Sequence, residues 1–168
     1  IVHAGASAVT SLSLLEIASS TLAGNAGSGG GGIRTASLSA TSSTTTRLQN
    51  TLLANNTGGH LVQVAGTGTS TVSSRGHNLA DTVEPLLNQA SDRTNVNPQL
   101  GILQNNGGNS RSYALLPGSA AIDAGIRAGS VIDQRGSAFV RPLELLIANA
   151  AGGDGSDTYV VRDGGDVV

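Results

Sequence analysis

The phrase Thr21-Leu22-Ala23-Gly24-Asn25 returns as Thr51-Leu52-Leu53-Ala54-Asn55-Asn56-Thr57-Gly58-Gly59 about 30 residues on, and Thr71-Val72 echoes it weakly about 20 residues later, spacings typical of stacked repeats. Units of that size must stack, because none can bury an apolar face without a neighbour. The apolar pieces around the phrase are short: Leu12-Ser13-Leu14-Leu15-Glu16-Ile17, Ser37-Leu38-Ser39, Leu48 through Leu53, and His60 through Val64. Such lengths suit strands and fall short of helices, which average about three turns. Asn after the aliphatic piece tolerates the left-handed backbone region and bonds its own chain at tight turns. In stacked units it can also bond its counterpart one unit away, as amide ladders do. Short strands, inward aliphatics and Asn at turns predict coils of a parallel β-helix over residues 1–80.

Composition points the same way. The 168 residues include 20 Ser, 15 Thr, 12 Asn and 24 Gly, but one Phe, two Tyr and no Cys, Met or Trp. Charged residues are 12% of the chain, against about 25% in an average soluble domain. Disorder usually brings high net charge and few aliphatics; here the net charge is -2 and 38% of residues are hydrophobic, which favours a repetitive β architecture. Zero cysteine excludes a disulfide framework, a thiolate metal site and a cysteine nucleophile. The nine basic residues are too scattered to neutralise a phosphate backbone, so nucleic acid is not an expected partner. No apolar run reaches the roughly 18 residues of a membrane span. A start at Ile1 is expected of a chain cut from a longer one, with any signal peptide removed or upstream. The run Gly27-Ser28-Gly29-Gly30-Gly31-Gly32 lacks the Lys-Ser/Thr of a phosphate loop and the spacing of a dinucleotide fingerprint, and reads as a glycine turn or bulge between coils.

Beyond residue 80 the punctuation thickens. Pro85, Pro98 and Pro117, with Asn95, Asn97, Asn105, Asn106 and Asn109, divide short apolar pieces. Residues 81–142 are expected to form terminal coils and a cap over an otherwise exposed apolar cross-section. Residues 143–151 read as a linker or short helix. Residues 152–168 open with Gly152-Gly153-Asp154-Gly155-Ser156-Asp157-Thr158-Tyr159-Val160, which fits the nine-residue pattern of a calcium-binding β-roll. Hard oxygen donors and glycine-permitted curvature suit calcium, with Asp157 as side-chain ligand and Gly152 and Asp154 as backbone candidates. A complete site needs a facing turn, and Asp163-Gly164-Gly165-Asp166 is a degenerate continuation. An ordinary Asp-Gly linker is the alternative.

Two further clusters bear on chemistry. Asp123 and Asp133, with Arg135 nearby, are candidates for a carbohydrate-binding or glycosidase-like cleft, which needs two carboxylates at about 5 to 9 Å. Fastening a loop to backbone amides, or pairing with Arg135, is the commoner role for such aspartates. His3, His60 and His77 make a poor zinc site, although stacking of short coils would bring His60 and His77 together. No metal site other than calcium is expected.

In order along the chain stand Gly76-His77-Asn78-Leu79, Val96-Asn97-Pro98-Gln99-Leu100, Asn106-Gly107-Gly108, Tyr113-Ala114-Leu115-Leu116-Pro117-Gly118-Ser119-Ala120-Ala121-Ile122-Asp123-Ala124-Gly125 and Asp133-Gln134-Arg135-Gly136. This set resembles the C-terminal part of bacterial secreted or surface right-handed parallel β-helix proteins, the polymorphic outer-membrane-protein-like or choice-of-anchor group. Ala120 stands where that group commonly has Pro, and Leu143 through Ala151 replaces its final strand. Residues 152–168 resemble the calcium-binding repeats of the haemolysin-type family. The resemblances imply an all-β, right-handed parallel β-helix with a C-terminal cap and the start of a β-roll, placed outside the cell or on a bacterial surface. They imply calcium as cofactor and carry over no catalytic residue; with the solenoid-like spacing, low charge, missing aromatics and terminal nonapeptide, the expected role is non-enzymatic, structural or adhesive, with a surface glycan or protein as partner. The alternative is a polysaccharide-binding or polysaccharide-cleaving β-helix fragment.

Overall fold

A computed structural model describes residues 1–5, 10–126 and 132–140. The described chain is all-β, with thirteen strands and no helix among those residues. The described residues form two compact units, the first within 1–98 together with 123–126, the second comprising 99–122 with 132–140. The expected linker over 143–151 and the nonapeptide with Gly152, Asp154 and Asp157 lie outside the described residues.

In the first unit the chain visits three sheets in the same order three times. The first round is β1 (Val2–Gly5), β2 (Ser11–Ala18) and β3 (Thr21–Ala23); the second is β4 (Ile33–Ser37), β5 (Ser42–Gln49) and β6 (Leu52–Ala54). The third is β7 (Leu61–Val64), β8 (Thr69–Ser74) and β9 (Leu79–Ala80). The sheets are β1-β4-β7, β2-β5-β8 and β3-β6-β9, and every pairing in them is parallel. Leu22 and Ala23 pair with Leu53 and Ala54, and Thr21 pairs with Leu52, so the two copies of the phrase stack one position later than their matching threonines suggest. The third member is Leu79-Ala80, paired with Leu52-Leu53. Thr71-Val72, the weak echo, instead pairs with Thr45-Thr46 in the neighbouring sheet. The strand expected at Ser37-Leu38-Ser39 is Ile33–Ser37, and Leu38 is exposed beyond its end.

Each round bends between its second and third strands at a non-glycine residue in the left-handed region: Ser19 (φ 48°), Asn50 (φ 50°) and His77 (φ 58°). Two of these side chains are fastened to distant backbone, Asn50 to Ile126 and His77 to the Ala124 carbonyl, whereas Ser19 Oγ has no hydrogen-bond partner among the described residues. Ser19 N–H donates to the Gln49 carbonyl and Asn50 N–H to that of Gly76, so the corners continue the stacking of the strands. Glycine is indispensable where the rounds come closest. At Gly58 (φ 86°) a Cβ would collide with the Gly27 carbonyl oxygen, which accounts for the glycine-rich turn facing it.

Inside the unit, one part is hydrocarbon and the other hydroxyl. Ile17, Ile33, Leu48, Leu53, Leu61, Val72, Ala80 and Leu87 form one buried cluster. The inward positions of β5 are Ser42, Thr44, Thr46 and Leu48, alternating with half-buried Ser43, Thr45, Arg47 and Gln49. Thr46 Oγ1 lies 2.7 Å from Thr35 Oγ1 and 3.0 Å from His3 Nδ1, while His3 Nε2 lies 2.6 Å from Ser13 Oγ. Ser37 and Ser42 share a hydroxyl bond of 2.7 Å. These hydroxyls satisfy one another, which makes them tolerable in a core, whereas the buried Thr44 Oγ1 has no hydrogen-bond partner among the described residues.

After β9, residues 81–98 fold back on the third round. Ala80 N–H donates to the Arg93 carbonyl and Arg93 N–H to that of Asn78, while Leu87 is buried in the core. The second unit contains two antiparallel hairpins, β10 (Leu100–Gln104) with β11 (Ser112–Leu115), and β12 (Ile132–Asp133) with β13 (Gly136–Val140).

Candidate functional site

Three ionisable groups of the first unit, His60, Asp81 and Glu84, meet around the ends of β6 and β9 and the start of β7. Asn25 and Asn56 are stacked across rounds: Asn56 Oδ1 accepts from Asn25 N (3.0 Å) and Asn25 Nδ2 (2.9 Å). Asn56 Nδ2 donates to the Leu22 carbonyl (2.8 Å) and faces His60 Nδ1 at 3.1 Å. The backbone donor on one side of the amide and the backbone acceptor on the other fix its orientation. His60 Nδ1 must therefore accept, and Nε2 carries the proton toward Asp81 Oδ1, 2.5 Å away. The other Asp81 oxygen accepts from Asn55 N at 2.7 Å. His60 is buried. With both ring nitrogens engaged it is a structural strut, not a free general base.

Two more carboxylates hold the folded-back segment. Glu84 is buried and accepts from Leu61 N (3.2 Å) and Leu86 N (3.3 Å). Burial pushes its carboxyl above the usual carboxylate range, although the amide bonds from Leu86 and Leu61 act in the opposite direction. Asp92 accepts from Ser74 Oγ (2.6 Å), Asn78 N (3.0 Å), Asn78 Nδ2 (3.0 Å) and Gln89 N (2.9 Å). Asn78 itself is fully buried and accepts from Thr51 N at 3.0 Å.

The raised Glu84 value has a defined sign. The protonated form is favoured in the folded state, so the group's contribution is fully present below its unfolded value of about 4.3 and is lost as pH rises through the higher folded value. Glu84→Gln is expected to gain stability relative to the parent chain between pH 4.5 and 7.5, measured as the difference in urea midpoints at the two pH values. A variant-minus-parent difference that stays constant or falls from pH 4.5 to 7.5 contradicts the assignment.

The sequence-derived candidates are placed as follows. Asp133 belongs to the second unit, where Oδ2 accepts from Arg135 Nε (2.8 Å) and Nη2 (2.6 Å) and Oδ1 accepts from Arg135 N (2.7 Å). Both side chains are committed to this pairing. Asp123 belongs to the first unit, exposed in a turn with φ 53°. His60 and His77 have separate partners, the latter facing the Ala124 carbonyl at 3.0 Å. One round carries the chain from His3 to Thr35 and the next from Thr35 to Gln63, strides longer than the step from His60 to His77, so stacking does not superpose the two imidazoles. Among the described residues no group of three or more His, Asp or Glu side chains is arranged to hold a metal ion. No helix among them is long and apolar enough to cross a membrane.

Sequence reasoning missed the His60–Asp81 strut and the Asn78–Asp92 clamp. The available signal was Leu79-Ala80 as the third member of the Leu-Ala repeat, which would have placed Asn78 and Asp81 at the two ends of the third strand of a round. Comparison with protein-family models, curated proteins and solved structures finds no match to the chain.

Proposed function

We propose that the chain is a segment of a right-handed parallel β-helix with a structural or adhesive role outside the cell or on a bacterial surface, followed by a calcium-binding repeat. The observation that carries this reading is the threefold return of the chain to the same three parallel sheets in the same order. Parallel crossovers within one sheet are right-handed in about 98% of cases, which supports that hand. The first unit spends its buried His and carboxylates on fastening the chain to itself. Asp133 and Arg135 are committed to one another, so no described observation favours a polysaccharide-cleaving cleft. A surface glycan or protein is the partner class for such a module.

Calcium belongs to the proposal through Gly152, Asp154 and Asp157, whose spacing supplies oxygen donors on a glycine-permitted turn. Titration of the 168-residue chain with calcium, followed by calorimetry and far-ultraviolet circular dichroism, is expected to show binding and added β signal. Asp157→Ala should weaken that binding by at least about tenfold, the loss of one hard anionic ligand. Absence of any calcium response removes calcium from the proposal. Turnover of a polysaccharide by the chain overturns the non-enzymatic reading.

A further inference from the structure

Of the chain's twelve asparagines, Asn106 alone is followed by glycine. In such a pair the glycine amide nitrogen can reach the side-chain carbonyl carbon and close a cyclic imide, because glycine brings no Cβ to obstruct the approach. Asn106 and Gly107 stand in the loop that joins β10 to β11, where the closed loop holds the reacting groups apart. Asn106 Nδ2 donates to the Ser112 carbonyl (2.8 Å) and to Ser112 Oγ (3.1 Å), and Asn106 Oδ1 accepts from Gln104 Nε2 (3.2 Å). The Gly107 N–H donates to Asn105 Oδ1 at 2.9 Å. The electrophile is thus turned across the hairpin, and the proton of the nucleophile is engaged. Two further contacts clasp the loop. Gln134 Nε2 donates to Ser110 Oγ at 2.9 Å, and a Cβ on Gly108 would stand only 2.6 Å from Arg135 Cα. Gly107 is exposed with φ 103°, so once the loop opens, water and hydroxide meet the pair directly.

We propose that Asn106 is a site of spontaneous deamidation, reached when this loop opens, and that its product keeps the loop from closing again. The step balances with water alone as co-reactant. Hydroxide takes the Gly107 amide proton, the nitrogen bonds to Asn106 Cγ, and the bond from Cγ to Nδ2 breaks, releasing ammonia with a proton drawn from water. A second water opens the imide at one carbonyl or the other, giving aspartate or isoaspartate. Neither product fits the closed loop. A carboxylate at 106 has no hydrogen to donate, so it sets an anionic acceptor against the Ser112 carbonyl, where a donor had met it. Isoaspartate also routes the main chain through the side-chain methylene and lengthens the loop where Gly108 has no space to spare against Arg135. The intact amide therefore stabilises closure, and its loss makes a transient local opening permanent.

Trypsin cleaves after Arg93 and Arg111 and releases residues 94–111, in which Asn95, Asn97, Asn105 and Asn109 accompany Asn106 as internal comparators. The 168-residue chain is incubated at mildly alkaline pH in heavy-oxygen water and that fragment is sequenced by mass spectrometry. Conversion with uptake of solvent oxygen is expected at Asn106, at least about tenfold faster than at the comparators, none of which precedes glycine. In urea, where the loop is open throughout, it should run at least about tenfold faster again. Ser110→Ala removes the bond from Gln134 and should speed conversion about two- to tenfold in the folded chain while leaving the urea rate unchanged. Converted chain, separated by its added negative charge, should exchange the amides of β10 and β11 at least about threefold faster than unconverted chain, a readout that needs no variant to fold. Conversion as fast in the folded chain as in urea overturns the proposal, as does an Asn106 that is lost in urea yet stays intact in the folded chain. Equal conversion at the comparators, or a converted hairpin that exchanges like the parent, overturns it too. A Ser110→Ala chain that converts at the parent's rate in both conditions also contradicts it, because opening of the loop would then not set the rate.

Discussion

Leu48→Ala lowers the unfolding free energy by about 3 to 5 kcal/mol, the upper part of the range for truncating a buried leucine. Leu48 is fully buried and lies between Ile17 on one round and Ser74 on the next. The cluster contains no Phe, Trp, Tyr or Met that could shift into the space, only branched aliphatics and alanine. Backbones of stacked rounds are tied by continuous ladders, so the site cannot collapse around the cavity. Measured against a total stability of about 5 to 15 kcal/mol, the loss is large enough to read directly in a urea midpoint. Leu14→Ala is the matched control, since Leu14 is exposed, and should change stability by no more than about 0.5 kcal/mol. Similar costs for the two substitutions would mean that Leu48 does not occupy the centre of the core.

Asn78→Ala is expected to cost about 3 kcal/mol or more, although it removes no hydrocarbon contact of note. Its amide nitrogen donates its two hydrogens to Ser74 Oγ and Asp92 Oδ1, with the Leu48 carbonyl at 3.4 Å, and its oxygen accepts from Thr51 N–H. Truncation leaves a buried backbone donor without its acceptor and strips one donor from a carboxylate, each at about 1 to 3 kcal/mol. Asn78→Asp tests the donor half alone: it retains the acceptor for Thr51 but places a second carboxyl at about 3 Å from Asp92, a distance at which like charges repel. Thermal unfolding of the two variants should therefore show both well below the parent. An Asn78→Ala variant within about 1 kcal/mol of the parent would contradict the clamp.

Strands are easiest to read in the sequence where aliphatic side chains alternate with polar ones. Leu12, Leu14 and Ile17 expose β2, and the Leu-Ala phrase exposes β3 and β6. The parallel β architecture follows from that phrase, because its two copies lie side by side in one sheet, offset by a single position. β4 and β5 are poorly legible for a physical reason. Their inward faces carry Thr35, Ser37, Ser42, Thr44 and Thr46, so inside and outside have the same polarity and a period of two leaves no hydrophobic trace. The third round is misread because its second strand, with Thr71-Val72, resembles the Thr-Leu opening of the phrase. Polar fasteners are less legible still. Asp81 and His60 are distant in sequence, and what joins them is the return of the chain through a full sheet circuit, not any local spacing.

The hydroxyl-lined half of the interior has a thermodynamic consequence. Exposing apolar surface raises the heat capacity of unfolding, whereas exposing polar surface lowers it. A core in which Ser13, Thr35, Ser37, Ser42 and Thr46 take places that leucine or phenylalanine would otherwise fill releases a mixed surface to water. The two contributions partly cancel. The stability of such a chain changes gently with temperature, its maximum is broad, and warming and cooling erode it more slowly than they would an oil-filled core of the same size.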